Sequence, residues 1–309
     1  MKKTLKRIPL PIVGLMLALG TIGNLVLSYG ENNRKAFGIL SGVIFVLVVL
    51  KIAAYPKDFI NDLNNPVIAS VFPTFSMGIM LLSTYIKPIE PSFAYLMWIA
   101  GIVIHIILMI LFTQKYVLKL NIKQVFPSWF IPYVGIVVAS VTAPAFDKVH
   151  IGKIAFWFGL ITYFLILPIV LKRVFKIKEI PEPARPTIGI LAAPVALCLA
   201  GYMNSFQEKN ILMIWFLLAL SQINLIYVLI QIPKLLKGGF YPSYSAFTFP
   251  LAISALSIKL VNGFFIKSGN PINILQYIVR FEEIIAIAMV LYVLLKYLEF
   301  IFAKAETAK

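Results

Sequence analysis

Few side chains in this chain of 309 residues can do acid–base, nucleophilic or metal chemistry, and where they stand matters more than how many there are. Cys198 is the single cysteine and lies in an apolar stretch, so neither a disulfide framework nor a thiolate metal site can be built from it. His105 stands in a long apolar run without an acidic neighbour. That is the setting of a packing residue bonded to a backbone carbonyl. Arg280, Glu282 and Glu283 cluster in another apolar run, where they read as ion-pair partners for an adjacent helix or subunit. No HExxH, GxSxG, Walker or Cys/His spacing occurs, so an enzymatic reading has no anchor, and neither a cofactor nor a metal is expected.

The elements that position these groups follow from composition. Hydrophobic residues make up 61% of the chain and charged residues 13%, against roughly 25% charged in soluble domains. Such a surface belongs in a bilayer. A crossing helix needs roughly 20 mostly apolar residues. Runs of that kind predict ten spans, near 9–29, 36–55, 66–86, 91–114, 129–146, 150–171, 186–203, 208–232, 243–264 and 272–303, in one transmembrane domain covering 1–309. The run after Lys2, Lys3, Lys6 and Arg7 is too long for a signal peptide and reads as an uncleaved first span.

The formal net charge of +16 would suit a nucleic acid, but the basic residues fall in the joints between apolar runs. Their distribution sets topology instead. Nineteen lie on the side of the N-terminus, including Lys51, Lys57, Lys115, Arg173, Lys304 and Lys309, and eight on the other side. This places both termini in the cytoplasm of a multi-pass inner-membrane protein, and no nucleic-acid partner is expected.

Odd and even spans differ in kind. Pro73, Pro132, Pro194 and Pro250 lie within odd spans at intervals of 59, 62 and 56 residues, and Pro11 precedes Pro73 by 62. One helical hairpin per interval gives five repeats. Interior proline frees a backbone carbonyl and kinks the helix, which lipid tolerates only inside a bundle or beside water. The odd spans are also rich in small residues. The expected fold is therefore all-α, with five kinked inner helices lining an axial path and five outer helices wrapping them. Between their ends the odd spans contain no Asp, Glu or His, and their one charge is Lys259. Coupled carriers usually need intramembrane carboxylates or histidines, and cation channels favour acidic rings. A path of apolar and hydroxyl groups, with partial positive charge from helix amides, favours anions.

Four segments carry a resemblance. They are Gly14-Leu15-Met16-Leu17-Ala18-Leu19-Gly20, Pro127-Ser128-Trp129-Phe130-Ile131-Pro132-Tyr133-Val134-Gly135, Ala184-Arg185-Pro186-Thr187-Ile188-Gly189-Ile190 and Tyr244-Ser245-Ala246-Phe247-Thr248-Phe249-Pro250. With them the chain resembles the tellurite-resistance/dicarboxylate transporter family, which includes bacterial TehA and the slow anion channels of plant guard cells. The resemblance implies a homotrimer, each subunit having its own pore between five inner and five outer helices. It also implies a pore closed by a phenylalanine of the ninth helix, and Thr248-Phe249-Pro250 assigns that role to Phe249. On pattern alone Phe249 reads as a core aromatic beside a proline.

Ser245, Ala246, Ala252, Ile253 and Leu256 share roughly the face of Phe249, and Gly14, Ser70, Gly135 and Ala193 join them as pore-lining candidates. Lys259 either draws anions to the outer mouth or snorkels to the interface. The function expected is a gated passive channel for small inorganic or carboxylate anions. The alternatives are a proton-coupled carrier or exporter of dicarboxylate, sulfite or tellurite-type oxyanions, which would have to use His105, Glu282 or Glu283, and a membrane scaffold that moves no solute. Kinase control through long tails, known in plant members of the family, is not expected of this sequence.

Overall fold

The computed structural model describes residues 2–303, so Lys304 and Lys309 of the charge count lie outside the described residues. Helix is the only regular structure among those residues. Among the described residues nine helical stretches are long and apolar enough to cross a bilayer: Glu31–Ala54, Pro66–Ile86, Pro91–Val117, Pro127–Phe146, Val149–Ile177, Glu182–Ser205, Ile211–Leu235, Pro242–Lys267 and Asn273–Phe302. The predicted first span is shorter than expected. Its regular helix is Ile12–Leu25, because Pro9 and Pro11 end the preceding Lys2–Arg7 turn and a tight turn at Leu27–Tyr29 follows.

Burial divides the spans as their composition does. In the third, fifth, seventh and ninth, 67–94% of the most apolar stretch is buried, against 22–33% in the five even spans. Every residue of Ile12–Leu25 except Asn24 is buried as well. The inner segments form a closed ring. The first packs on the third, the third on the fifth, the fifth on the seventh and the seventh on the ninth, which returns to the first. Each even helix packs on the inner segment before it and on the one after it. Short polar bonds join neighbouring segments, within the inner ring and between the layers, where lipid offers no partner. Ser41 Oγ donates to the Met16 carbonyl at 2.7 Å, Tyr85 donates to the Gly20 carbonyl at 2.5 Å, and Trp98 Nε1 donates to Thr142 Oγ1 at 2.8 Å.

The prolines act differently from the expected mid-helix kinks. Each inner segment breaks before its proline and restarts as a new α-helix. Pro73 is the residue that precedes Thr74–Ile86, Pro194 is second in Ala193–Ser205, and Pro250 is third in Thr248–Lys267. In the first turn an amide N–H has no helical partner anyway, so proline there costs little. The stretches ahead of these helices are tight 3₁₀ turns, Glu182–Ala192 and Pro242–Phe247, or the short Pro66–Val71 helix. Hydroxyls three residues further on cap the loosened carbonyls. Thr74 donates to Val71 at 2.8 Å, Ser76 to Pro73 at 2.7 Å, Thr187 to Ala184 at 2.6 Å and Thr248 to Ser245 at 2.6 Å. Irregular backbone thereby survives at membrane depth, because its polar groups are satisfied inside the protein.

Candidate functional site

The five helix restarts meet around one cavity of about 40 Å³. The first-turn residues Gly14, Thr74, Phe130, Ala193 and Phe249 all line it, one from each inner segment. The rest of the wall is apolar apart from Ser245, and no charged side chain lines it. A cavity needs roughly 10–15 Å³ per water, so this one holds only about three. Phe249 is 6% exposed, and its wall neighbours include Ala246, Pro250 and Pro194.

Close approach of the segments fixes the width here. A Cβ on Gly14 would lie 3.1 Å from Ser245 Cβ, so the first and ninth segments touch beside the ring. Across the cavity, a Cβ on Gly135 would lie 2.7 Å from Met77 Sδ and 2.9 Å from His105 Cε1.

Of the residues singled out from the sequence, Gly14, Gly135, Ala193, Ser245, Ala246, Phe249, Pro194 and Pro250 come together on this wall. Ser70 stands behind it, bonded to Ser128 Oγ at 2.6 Å. Pro73 and Pro132 shape the breaks without lining the cavity, while Ala252, Ile253 and Leu256 are buried further along the ninth span. Val71, Met77, Ile131, Val134, Ile190 and Leu197 line the cavity and were not singled out. Their apolar types carry no signal; the only pointer to them is position, within about a turn of the breaks.

The titratable groups of the spans are engaged elsewhere. Fully buried His105 bonds through Nδ1 to Ser76 Oγ at 2.9 Å and through Nε2 to the Pro132 carbonyl at 3.1 Å, as a packing histidine does. Glu282 accepts from Gln222 at 2.9 Å and from Ser254 at 2.7 Å. Glu283 pairs with Lys259 at 2.5 Å and accepts from Tyr29 at 2.8 Å. Lys259 also donates to the Leu25 carbonyl and Ser28 Oγ, and its ammonium sits 4.9 Å from the Tyr29 ring centre. It is therefore a paired cation. Where the inner segments begin, a vestibule of about 790 Å³ opens on the same end as the cavity, lined by Pro9, Pro66, Phe126, Pro183 and Pro242 among others.

The family model described as voltage-dependent anion channel matches residues 8–298. An uncharacterized transporter of Methanocaldococcus jannaschii is 25% identical over 257 residues, covering 73% of each chain. A tellurite resistance protein TehA homolog of Haemophilus influenzae is 24% identical over 262 residues, covering 81% of this chain and 78% of its own. The chain belongs to the voltage-dependent anion channel family, whose members are transporters and channels rather than enzymes.

Proposed function

We propose that this member of the voltage-dependent anion channel family is a gated, passive channel for small anions, closed by the Phe249 ring. The observation that carries the reading is the cavity, to which all five inner segments contribute and whose lining has no charged or acid–base side chain. Helix starts surround it on every side, so partial positive charge from backbone amides, and no carboxylate, faces an ion there. A ring in an apolar constriction blocks by bulk and by excluding water.

Passive flow is favoured over proton coupling because His105, Glu282 and Glu283 have other partners and none lines the cavity. The excess of basic residues at the N-terminal joints supports both termini being cytoplasmic in an inner membrane. Three subunits, each with its own path, follow from the resemblance. The test is anion current through Phe249→Ala beside wild type in planar bilayers. A large anion-selective current in the variant alone supports the channel. Silence from both, with the protein in the membrane and a proton gradient driving uptake, refutes it.

A further inference from the structure

Away from the path, a groove of about 1080 Å³ opens toward the bilayer between the second and fourth spans. Leu82 and Tyr85 of the third span form its floor, Val46 stands on one wall, and Phe93 and Met97 stand on the other. Ile39, Val46 and Phe93 are exposed. Gly42 deepens the groove, because a Cβ there would meet nothing within 4 Å. A Cβ on Gly38, one turn earlier, would already lie 2.5 Å from the Tyr85 ring. At membrane depth unfilled space forfeits dispersion contacts on every wall, so something apolar occupies it.

Its charge is gathered at one end. Glu31, Arg34 and Lys35, in the first turns of Glu31–Ala54, line the mouth, and every other lining residue is uncharged. Arg34 is largely spent. Its guanidinium donates to Asn24 Oδ1 at 3.1 Å and to the Thr84 carbonyl at 3.3 Å, lies 4.4 Å from the Tyr85 ring centre, and stands 3.8 Å from Glu31. Lys35 is exposed, and among the described residues its ammonium makes no ion pair. Two cations against one carboxylate leave the mouth one net positive charge, and Lys87 and Glu90 of the adjoining joint cancel each other. From Lys35 to Leu47, where the lining of this helix ends, the rise is about 18 Å, against about 15 Å for half of a hydrocarbon core. The groove therefore serves one leaflet. A helix of another copy would need a track through both, whereas acyl chains need no more than this.

We infer that this groove binds one anionic phospholipid of the leaflet opposite the N-terminus, its phosphate at Lys35 and its chains along Gly42 and Leu82. Arg34 and Tyr85 also hold the first span, through Asn24 and the Gly20 carbonyl, so the bound lipid braces the inner ring from outside. A basic side chain beside an anionic headgroup is worth about fivefold in affinity.

The test titrates delipidated protein in detergent with phosphatidylglycerol and with phosphatidylethanolamine, read by native mass spectrometry and by melting. Wild type is expected to hold one phosphatidylglycerol per subunit about fivefold more tightly than phosphatidylethanolamine, and to melt higher with it. Lys35→Gln should lose that preference, while Lys267→Gln, at the same end but outside the groove, should keep it. Gly42→Leu replaces a poor helix former, fills the open space, and should bind one lipid fewer per subunit. A preference that survives Lys35→Gln, or that Lys267→Gln lowers equally, refutes the headgroup site. Unchanged lipid uptake in Gly42→Leu refutes the groove, and a changed subunit number with unchanged uptake would assign this face to a second copy instead. No reading depends on conduction, so the outcome is independent of the channel.

Discussion

Truncating Phe249 to alanine tests the gate most directly. The ring is 6% exposed and lines a cavity with room for about three waters, so on the proposed reading an ion passes only when the ring leaves its place. Moving a phenylalanine side chain out of apolar contact costs about 1.5–3 kcal/mol. Each 1.4 kcal/mol is a factor of ten, so the ring is displaced in roughly one molecule in 10 to 150. Removing it should therefore raise conductance about 10- to 150-fold, with no change in sign selectivity. A series of Leu, Val and Ala at 249 should conduct in that order, smallest side chain highest. The assay is voltage clamp in planar bilayers, with reversal potentials in asymmetric chloride. The variant should also remain folded, because the ring already borders empty space. Its stability loss should fall below the about 3–5 kcal/mol of a Phe→Ala change in a sealed core. A folded, membrane-inserted Phe249→Ala with wild-type conductance would refute the reasoning, as would a current carried by cations.

Other consequences follow from groups around the path. Glu283→Gln leaves Lys259 without its carboxylate and should lower thermal stability by about 1–3 kcal/mol, partly recovered when Lys259→Met is added; melting of the three variants in detergent checks this. Glu282→Gln and His105→Asn in the Phe249→Ala background should leave the reversal potential indifferent to a pH gradient, since neither side chain lines the cavity; a shift of the reversal potential with pH would restore the coupled carrier. Gly14→Val forces a branched side chain against Ser245, where a lone Cβ already sits at 3.1 Å, and should cost about 1–3 kcal/mol in stability while altering conductance of the Phe249→Ala channel.

Much of the architecture is legible in residue types. Lipid contact demands apolar side chains, so the even spans stand out as the more apolar stretches, and the structure exposes them. Inner spans hold Ser, Thr, Gly and Ala because neighbours approach closely there, and their regular prolines mark where each helix restarts. Phe249, which lines the cavity, was singled out through the Thr248-Phe249-Pro250 resemblance, since nothing in the pattern separates it from a core aromatic. Met77, Leu197 and Val134 were not found for the same reason: an apolar side chain facing a cavity and one facing a neighbouring helix have identical types.

Sequence alone settles that the chain crosses a membrane many times, which spans face inward, and that the inner spans lack acid–base groups between their ends. These are properties of composition along a helix, fixed by the cost of placing charge or unpaired backbone in hydrocarbon. The tertiary structure alone decides which charges are spent. In the sequence Lys259 has no visible partner, but Glu283 from the tenth span and the Leu25 carbonyl from the first close on it. Lys51 looks like an ordinary joint residue, yet the fold buries it against Ile8, 43 positions away, and turns it toward the vestibule. The reason is physical: a Coulomb or hydrogen-bond partner is set by distance in space, and closing a ring of five helical pairs brings together residues from opposite ends of the chain.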